Sequence, residues 1–352
     1  MTEEFTNHPP TSFDVARRVG VSQSTVSLIL GGKAAGRVSQ RTQEAVLRAA
    51  AELGYRPNTA ARTLRVGRSQ VVALVVPDVG NPYFAALLQG IEHAARQHGY
   101  AVVLVSMHDD PHWLRLITDS LAARSVDGVL FHTLEPPAAL ELAPFTNRAV
   151  LLDGSSQMLP SLQLDMVGGT HEAMRHLLRL GHIKIAHLAA AVQAETFRLR
   201  RQTYQEALQS AGIPIASAYL AQAPFDIDAA RAAAHTLLAL PDPPSAIFCD
   251  SDLLAVGIYK AARELGRLIP RDLSVVSFDD SLVARILEPE LTTVTIPTSV
   301  LGEQAVALLL ACLQESQRAA PPVISLHLVI RGSTAAPPMS SSSAASATLE
   351  TR

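Results

Sequence analysis

The chain of 352 residues carries 29 Lys and Arg against 32 Asp and Glu, a formal net charge of −3, and 48% of it is hydrophobic. That length exceeds a usual single domain and the apolar content supplies sizeable cores, so two or three folding units are expected. The only cysteines, Cys249 and Cys312, argue against a disulfide framework or metal cluster and read as buried thiols in a reducing cytosol.

The start, Met1-Thr2-Glu3-Glu4-Phe5-Thr6, has neither a basic n-region nor an apolar h-region. No apolar run approaches the roughly 18 residues of a membrane span, so a soluble cytoplasmic protein without a membrane partner is expected. Residues 1–10 form a polar lead ending in Pro9-Pro10, and 335–352 is rich in Pro, Ser, Ala and Thr; both read as disordered.

Charge is unevenly placed. Between Thr11 and Arg68 ten cations face only Asp14, Glu44 and Glu52, leaving the remainder of the chain acidic. A basic block on an acidic body suggests a phosphate-binding module attached to something with another task. Three helix starts are signalled within it: Thr11 or Ser12 before Asp14-Val15-Ala16, Ser22 before Val26, and Ser39 before Ala45-Val46, with Gly54 as the stop. With Ser22 as the cap, helical spacing puts Val26, Ile29 and Leu30 on a packing face and Gln23, Ser24, Ser27 and Leu28 on a face free to meet a DNA groove. Gln23 suits adenine, Ser24 is permissive and Ser27 suits a phosphate. The plainer reading is a small helical bundle with polar solvent-facing residues.

From Val71 the pattern changes. Val71–Val76, Ala101–Val105 and Gly128–Phe131 are continuously apolar and alternate with helical segments such as Phe84–Gln97. The alternation resumes with Ile185–Leu188, Ala246–Phe248 and Ser274–Phe278, among helices near His171–Leu180 and Leu253–Leu265. Such strands belong to parallel sheets covered on both faces, so the body reads as two doubly wound units related as internal copies. Ligands bind such sheets beyond the carboxyl ends of the strands, which singles out Asp78, Asp153, Asp250 and Asp279.

An enzyme finds little support: no Gly-x-Gly-x-x-Gly follows the first strand, and neither a phosphate-binding Gly-Lys loop nor a Gly-x-Ser-x-Gly elbow is present. His176 and His182 lack the spacing of a zinc helix, and His182 reads as a structural hydrogen-bonding residue. Neither a metal site nor a cofactor is expected.

The N-terminal motifs Asp14-Val15-Ala16, Gly20-Val21-Ser22, Thr25-Val26-Ser27, Val38-Ser39 with Thr42, and Gly54-Tyr55-Arg56-Pro57-Asn58 resemble the headpiece of the lac repressor and galactose repressor family of transcription regulators. The body resembles that family's periplasmic-binding-protein-like core in Pro77-Asp78-Val79-Gly80-Asn81-Pro82-Tyr83-Phe84, Leu180-Gly181-His182, Ser251-Asp252-Leu253-Leu254-Ala255, Phe278-Asp279-Asp280 and Leu291-Thr292-Thr293-Val294. The likeness implies a small all-α helix-turn-helix headpiece at 11–57, a hinge helix and linker at 58–69, and an α/β core of two doubly wound parallel-sheet subdomains. Their implied extents are 70–168 with 297–325, and 169–296 with 326–334.

The resemblance further implies DNA contacts by Ser22, Gln23, Ser24, Thr25, Ser27 and Leu28, and by Asn58, Ala61, Arg62, Leu64 and Arg65 of the hinge, with Leu64 wedged into the minor groove. It places Tyr83, Phe84, Asp153, Arg198, Phe225, Ser251 and Asp279 around an effector cleft suited to a sugar or another small metabolite. A homodimer on a pseudo-palindromic double-stranded operator completes the expectation, with a periplasmic-type sugar-binding protein as the rival reading. Four positions depart from the family. Leu28 stands where many members carry a guanine-reading Arg, Gly31-Gly32 replaces an Asn, Ser251 replaces a frequent Asn and Thr203 a usual Gly. The cations Arg198, Arg200 and Arg201 offer a phosphate-recognising cluster as one reading; the preferred one assigns Arg198 to ligand and Arg200 and Arg201 to a solvated helix face.

Overall fold

A computed structural model describes residues 10–55, 67–107, 112–132, 145–154, 156–314 and 323–338. The hinge positions Asn58, Ala61, Arg62, Leu64 and Arg65 lie outside these residues. The chain separates into two compact units, Met1–Ser69 and Gln70–Arg352.

The first unit contains helices α1 (Ser12–Val19), α2 (Gln23–Leu30) and α3 (Gln40–Glu52). Each begins where a side chain satisfies amides that the helix itself leaves unpaired. Asp14 accepts from the amide and hydroxyl of Thr11 at 2.8 and 2.7 Å, Ser22 accepts from the Thr25 amide at 3.1 Å, and Ser39 from the Thr42 amide at 3.3 Å. Gly20, at φ +74°, makes the left-handed turn between α1 and α2 at little steric cost. Val15, Ala16, Val26, Ile29, Ala34, Val46, Ala49 and Ala50 form the core of this unit.

In the second unit a five-stranded parallel sheet comprises β1 (Val71–Val76), β2 (Ala101–Ser106), β3 (Gly128–Phe131), β4 (Ala149–Leu152) and β5 (Ser161–Leu162), in the order β2-β1-β3-β4-β5. A six-stranded sheet comprises β6 (Ile185–Ala190), β7 (Leu220–Ala223), β8 (Ala246–Cys249), β9 (Ser274–Asp279), β10 (Thr292–Thr295) and β11 (His327–Val329), ordered β11-β10-β9-β8-β6-β7. Only β11 runs antiparallel, pairing Thr293 with Val329. The central strands are buried along their length, which is why their sequences are apolar runs and not alternations.

The covering helices are α4 (Pro82–Gln97), α5 (Trp113–Ala122), α6 (Met166–Arg179), α7 (Glu195–Ser210), α8 (Ile227–Leu238), α9 (Asp252–Glu264), α10 (Leu282–Ile286) and α11 (Thr298–Leu313). Although late in the chain, α11 packs on α4 and on β3, β4 and β5 of the first sheet. The two helices cross where neither has a side chain. A Cβ at Gly302 would lie 2.6 Å from the Gly90 carbonyl carbon, and one at Gly90 would lie 2.6 Å from the Thr298 oxygen.

The expected tail starts too early. Ala335 donates to the Ser274 hydroxyl at 3.0 Å and its carbonyl meets His182 Nε2 at 2.9 Å, so residues immediately after Thr334 belong to the folded body. These bonds, with His182 Nδ1 to Ser245 at 2.9 Å, give His182 a structural role. Cys249 and Cys312 are both buried. Among the described residues no helix is long and apolar enough to cross a membrane, and no group of His, Cys, Asp and Glu could hold a metal ion.

The helix crossing is directly testable. Gly302→Val forces a side chain into backbone, and overpacking of this kind costs about 1–3 kcal/mol. Chemical denaturation should show that loss, and an unchanged unfolding free energy would mean that α4 and α11 slide apart freely.

Candidate functional site

The carboxyl ends of both sheets open on a shared cavity of about 290 Å³. Four aspartates singled out by strand ends line it: Asp78 after β1, Asp153 after β4, Asp250 after β8 and Asp279 at the end of β9. Asn81 caps α4 by accepting from the Tyr83 amide at 3.1 Å, and this start swings Tyr83 and Phe84 into the cavity wall. Phe225, just before α8, and Ser251, the cap of α9, complete the sequence-derived residues found there.

Arg198 is the exception. Its side chain is 62% exposed, paired with Glu195 at 3.6 Å and bonded to Gln202 at 3.2 Å. Arg200 lines the cavity instead and is only 3% exposed, correcting its assignment to a solvated face. Two residues on a helix is more than half a turn, so Arg198 and Arg200 leave α7 on nearly opposite sides. The signal was available: Phe197, Arg200, Tyr204 and Ala207 recur at helical spacing, and all are buried. Thr203, at the position where the family usually has Gly, is buried with them.

The Arg200 guanidinium lies 3.9 Å from the Phe278 ring centroid and 5.1 Å from that of Phe197, a cation–π arrangement on two sides. It donates to the Asp250 carbonyl, while its buried Nε has no hydrogen-bond partner. Behind it, the Asp250 carboxylate accepts from the Ala190 amide at 2.9 Å and meets His187 Nε2 at 3.0 Å. Burial alone would raise the Asp250 carboxyl, but His187, Arg200 and the Ala190 amide together hold the group below the usual carboxylate range.

His132, which sequence reasoning missed, follows β3 as the aspartates follow their strands. Its ring stands edge-on to Tyr83 and Phe84, with centroids 5.4 and 5.0 Å away, and its Nε2 lies 3.2 Å from the Tyr83 hydroxyl. Burial pushes the imidazole down to about 4, so the ring is neutral near pH 7, and its buried Nδ1 has no partner. An unpaired buried nitrogen costs stability unless a bound molecule satisfies it. His132 Nδ1 and Arg200 Nε thus present unmet hydrogen-bonding capacity on the wall of one cavity.

Asp153, at φ +53°, also lines the cavity. Burial raises its carboxyl to about 6, with Arg200 and Thr196 opposing. Asp279 accepts from the Ser251 hydroxyl at 2.7 Å. The wall therefore joins aromatic faces to carboxyl and guanidinium groups, which suits a compact ligand carrying hydroxyls.

In the headpiece, Gln23, Ser24 and Ser22 are exposed, and Thr25 and Ser27 are half-buried. The Gln23 amide donates to Ser12 on α1 at 3.1 Å, and Ser22 shares hydrogen bonds with Ser24 and Thr25. Leu28, expected on the open face, is half-buried and packs against the helical core. Leu30, assigned to the packing face, is half-buried there as well.

Comparison with known proteins is consistent along the chain. Residues 13–58 match the model of bacterial regulatory proteins of the lacI family, and 174–334 match a periplasmic binding protein-like domain. The HTH-type transcriptional repressor CytR of Escherichia coli strain K12 is 31% identical over 333 residues, covering 93% of this chain and 97% of that protein. The chain belongs to the lacI family. The repressor PurR of Yersinia pestis strain Pestoides F is 32% identical over 320 residues, 89% of this chain and 93% of its own length. Among solved structures, the lac repressor dimer bound to operator and the anti-inducer ONPF aligns with a TM-score of 0.81 at 29% identity, covering 94% of this chain and 100% of that one. A complex of the regulator CelR with cellobiose gives 0.68 at 32% identity, covering 92% and 99%. This lacI-family chain is a DNA-binding transcription regulator and not an enzyme, and its helix-turn-helix unit disfavours a purely periplasmic-type binding protein.

The Asp153 carboxyl has a signature in stability. Its folded pKa lies above the ordinary 3.8, so its contribution is fully present below that value and is lost as pH rises towards about 6. Asp153→Asn should gain stability relative to the parent across that window and keep a constant advantage above it, measured by urea denaturation from pH 4 to 7.5. A gap that does not change with pH would show an unshifted carboxyl.

Proposed function

We propose that this lacI-family regulator is a repressor that binds a pseudo-palindromic operator as a homodimer and is controlled by a small hydroxylated molecule, a sugar or sugar-bearing metabolite, in the cavity between the two sheets. The carrying observation is that one chain joins a capped helix-turn-helix to a cavity walled by Tyr83, Phe84 and His132 from one subdomain and Arg200, Ser251 and Asp279 from the other. Arg200 and Asp279 would bond ligand hydroxyls, and Phe225 with the Tyr83-Phe84 pair would cover apolar ring faces. Two solved relatives, carrying cellobiose and ribose, support this ligand class.

Dimer formation is supported by the surface of the first subdomain. Val103 and Leu104 on the edge strand β2 are 48% and 36% exposed, and Leu116 on α5 is 55% exposed. An open strand edge flanked by apolar side chains is costly unless a second copy covers it. Two-fold symmetry would then present two headpieces to two half-sites. In the headpiece, Ser22, Gln23, Ser24, Thr25 and Ser27 would meet the major groove. Leu28, already half-buried in the core, would offer at most an apolar edge to a thymine methyl. The hinge residues Asn58, Ala61, Arg62, Leu64 and Arg65 would enter the minor groove, with Leu64 as the wedge.

Ligand closure of the cavity would reorient the first subdomains of the dimer and change the separation of the two chains at Arg68, where the linkers meet the body, and so favour or disfavour folding of the hinges. Only a difference in ligand affinity between the two states can drive this, and about 1–3 kcal/mol is an ordinary coupling.

Two measurements test the reading. A chain lacking residues 1–69 should still show a ligand-induced rise in melting temperature in a screen of sugars and nucleosides, yet lose specific operator binding in a gel-shift assay. Retained specific binding by that fragment would overturn the headpiece assignment. Leu64→Ala in the full chain should weaken operator binding at least tenfold more than binding to random duplex, and equal losses on both would remove the wedge.

A further inference from the structure

Two carboxyl groups meet at the end of β9 and the start of α9, and their surroundings differ sharply. Asp252 accepts four hydrogen bonds: from Ser277 Oγ at 2.5 Å, Thr293 Oγ1 at 2.8 Å, and the Ser281 amide and hydroxyl at 2.7 and 2.9 Å. Asp279 accepts from Ser251 at 2.7 Å and from the Asp252 amide, and it alone of the pair lines the cavity. Neighbouring buried carboxylates do not both stay ionised cheaply, and the charge settles on the one with more donors. Here that is Asp252.

The remaining charged and titratable groups around Asp279 do not reverse this. Arg200 of α7 directs its guanidinium to the Asp250 carbonyl and the Met166 sulfur. Asp280 is engaged by Arg331, with Arg285 at 3.9 Å, and the Asp250 carboxylate is engaged by His187. Asp153 faces the cavity from β4 and adds negative charge, while the Tyr83 and Cys249 side chains are buried and neutral. Among the described lining residues Arg200 is the single Arg or Lys, against Asp78, Asp153, Asp226, Asp250 and Asp279.

We propose that Asp279 meets the effector as the un-ionised acid, donating its O–H to an acceptor atom on the ligand, and that the cavity therefore takes an uncharged compound in preference to its phosphate ester. The inference rests on the cavity being the effector site. Two donors, the Ser251 hydroxyl and the Asp252 amide, are fewer than the four on Asp252, so the Asp279 carboxyl is the one of the pair able to keep its proton beside the cavity. An incoming phosphate would face Asp78, Asp153 and Asp226 with a single guanidinium, one of whose nitrogens is bonded to the Asp250 carbonyl, to offset them. Burial first, and Asp252 second, raise the Asp279 carboxyl to about 8, against the opposing pull of Arg200 and Ser251.

The carboxyl itself is read by ¹³C NMR of the full chain labelled at aspartate Cγ, with the Asp279 signal assigned by its absence in Asp279→Asn. An acid-form shift at pH 7 that titrates near 8 is expected, and an ionised shift at pH 6 would overturn the proposal. The ligand half is read by thermal shift with ribose, cellobiose and cytidine beside ribose 5-phosphate and cytidine monophosphate. A neutral compound that binds should lose at least tenfold in affinity on phosphorylation. It should lose about tenfold more from pH 7 to pH 9, following the protonated fraction of a group titrating at about 8. Asp279→Asn, which keeps a donor without the charge, should abolish that pH dependence. A phosphate ester binding as tightly as its parent overturns the selectivity. No shift from any compound at either pH counts instead against the cavity as the effector site, and with it the ligand half of the proposal.

Discussion

Arg200 governs the chemistry of the cleft. A guanidinium removed from water must be matched by carboxylates, carbonyls or ring faces, and this one is held by Phe278, Phe197 and the Asp250 carbonyl. The carbonyl belongs to the residue whose carboxylate is fixed by His187, so the cation is anchored through β8 to β6. Around this one cation the aspartates differ in ionisation: His187, Arg200 and the Ala190 amide hold Asp250 below the usual range, while burial raises Asp153 to about 6 and Asp279 to about 8.

The two subdomains differ in what they bring to the cavity. The first contributes Tyr83, Phe84 and His132, which are aromatic and uncharged, with Asp153 at their margin. The second contributes the polar Arg200, Ser251 and Asp279 together with the rings of Phe197 and Phe225. A molecule held between them would meet ring faces from both sides and the one guanidinium from the second. Such a ligand would touch both subdomains at once, and a difference in its affinity for two arrangements of them is what would link binding to their relative movement.

Much of the cleft is legible in the sequence alone. Strand ends in doubly wound sheets gather at one edge, so the residues after β1, β4, β8 and β9 are bound to meet, and Asp78, Asp153, Asp250 and Asp279 do. The same rule applied to Gly128–Phe131 finds His132, but a histidine after a strand carries no motif of its own and does not stand out. Composition alone favours Arg198 no less than Arg200; helical phase separates them, because the Phe197, Tyr204 and Ala207 stripe shows which of the two turns inward. Counting from Ser22 puts Leu28 on the open face. Tertiary packing draws it partly into the core, where an apolar side chain gains more than it does in water. The bonds that fold Ala335 onto His182 and Ser274 are hidden by the low complexity of the Ser- and Ala-rich residues on its C-terminal side.

The insertion of α11 against α4 has a consequence for how the molecule is made. The first sheet is finished by residue 162, but the helix that seals one of its faces begins at Thr298. During synthesis this half of the core must wait, with α4 and the faces of β3 and β4 uncovered, until nearly the whole second sheet has emerged. Contacts so far apart along the chain form late and leave apolar surface open meanwhile. Among the described residues the headpiece core is drawn from Val15 to Ala50, a short stretch of chain. The DNA-binding part of the protein is therefore able to fold well before the α/β body is complete.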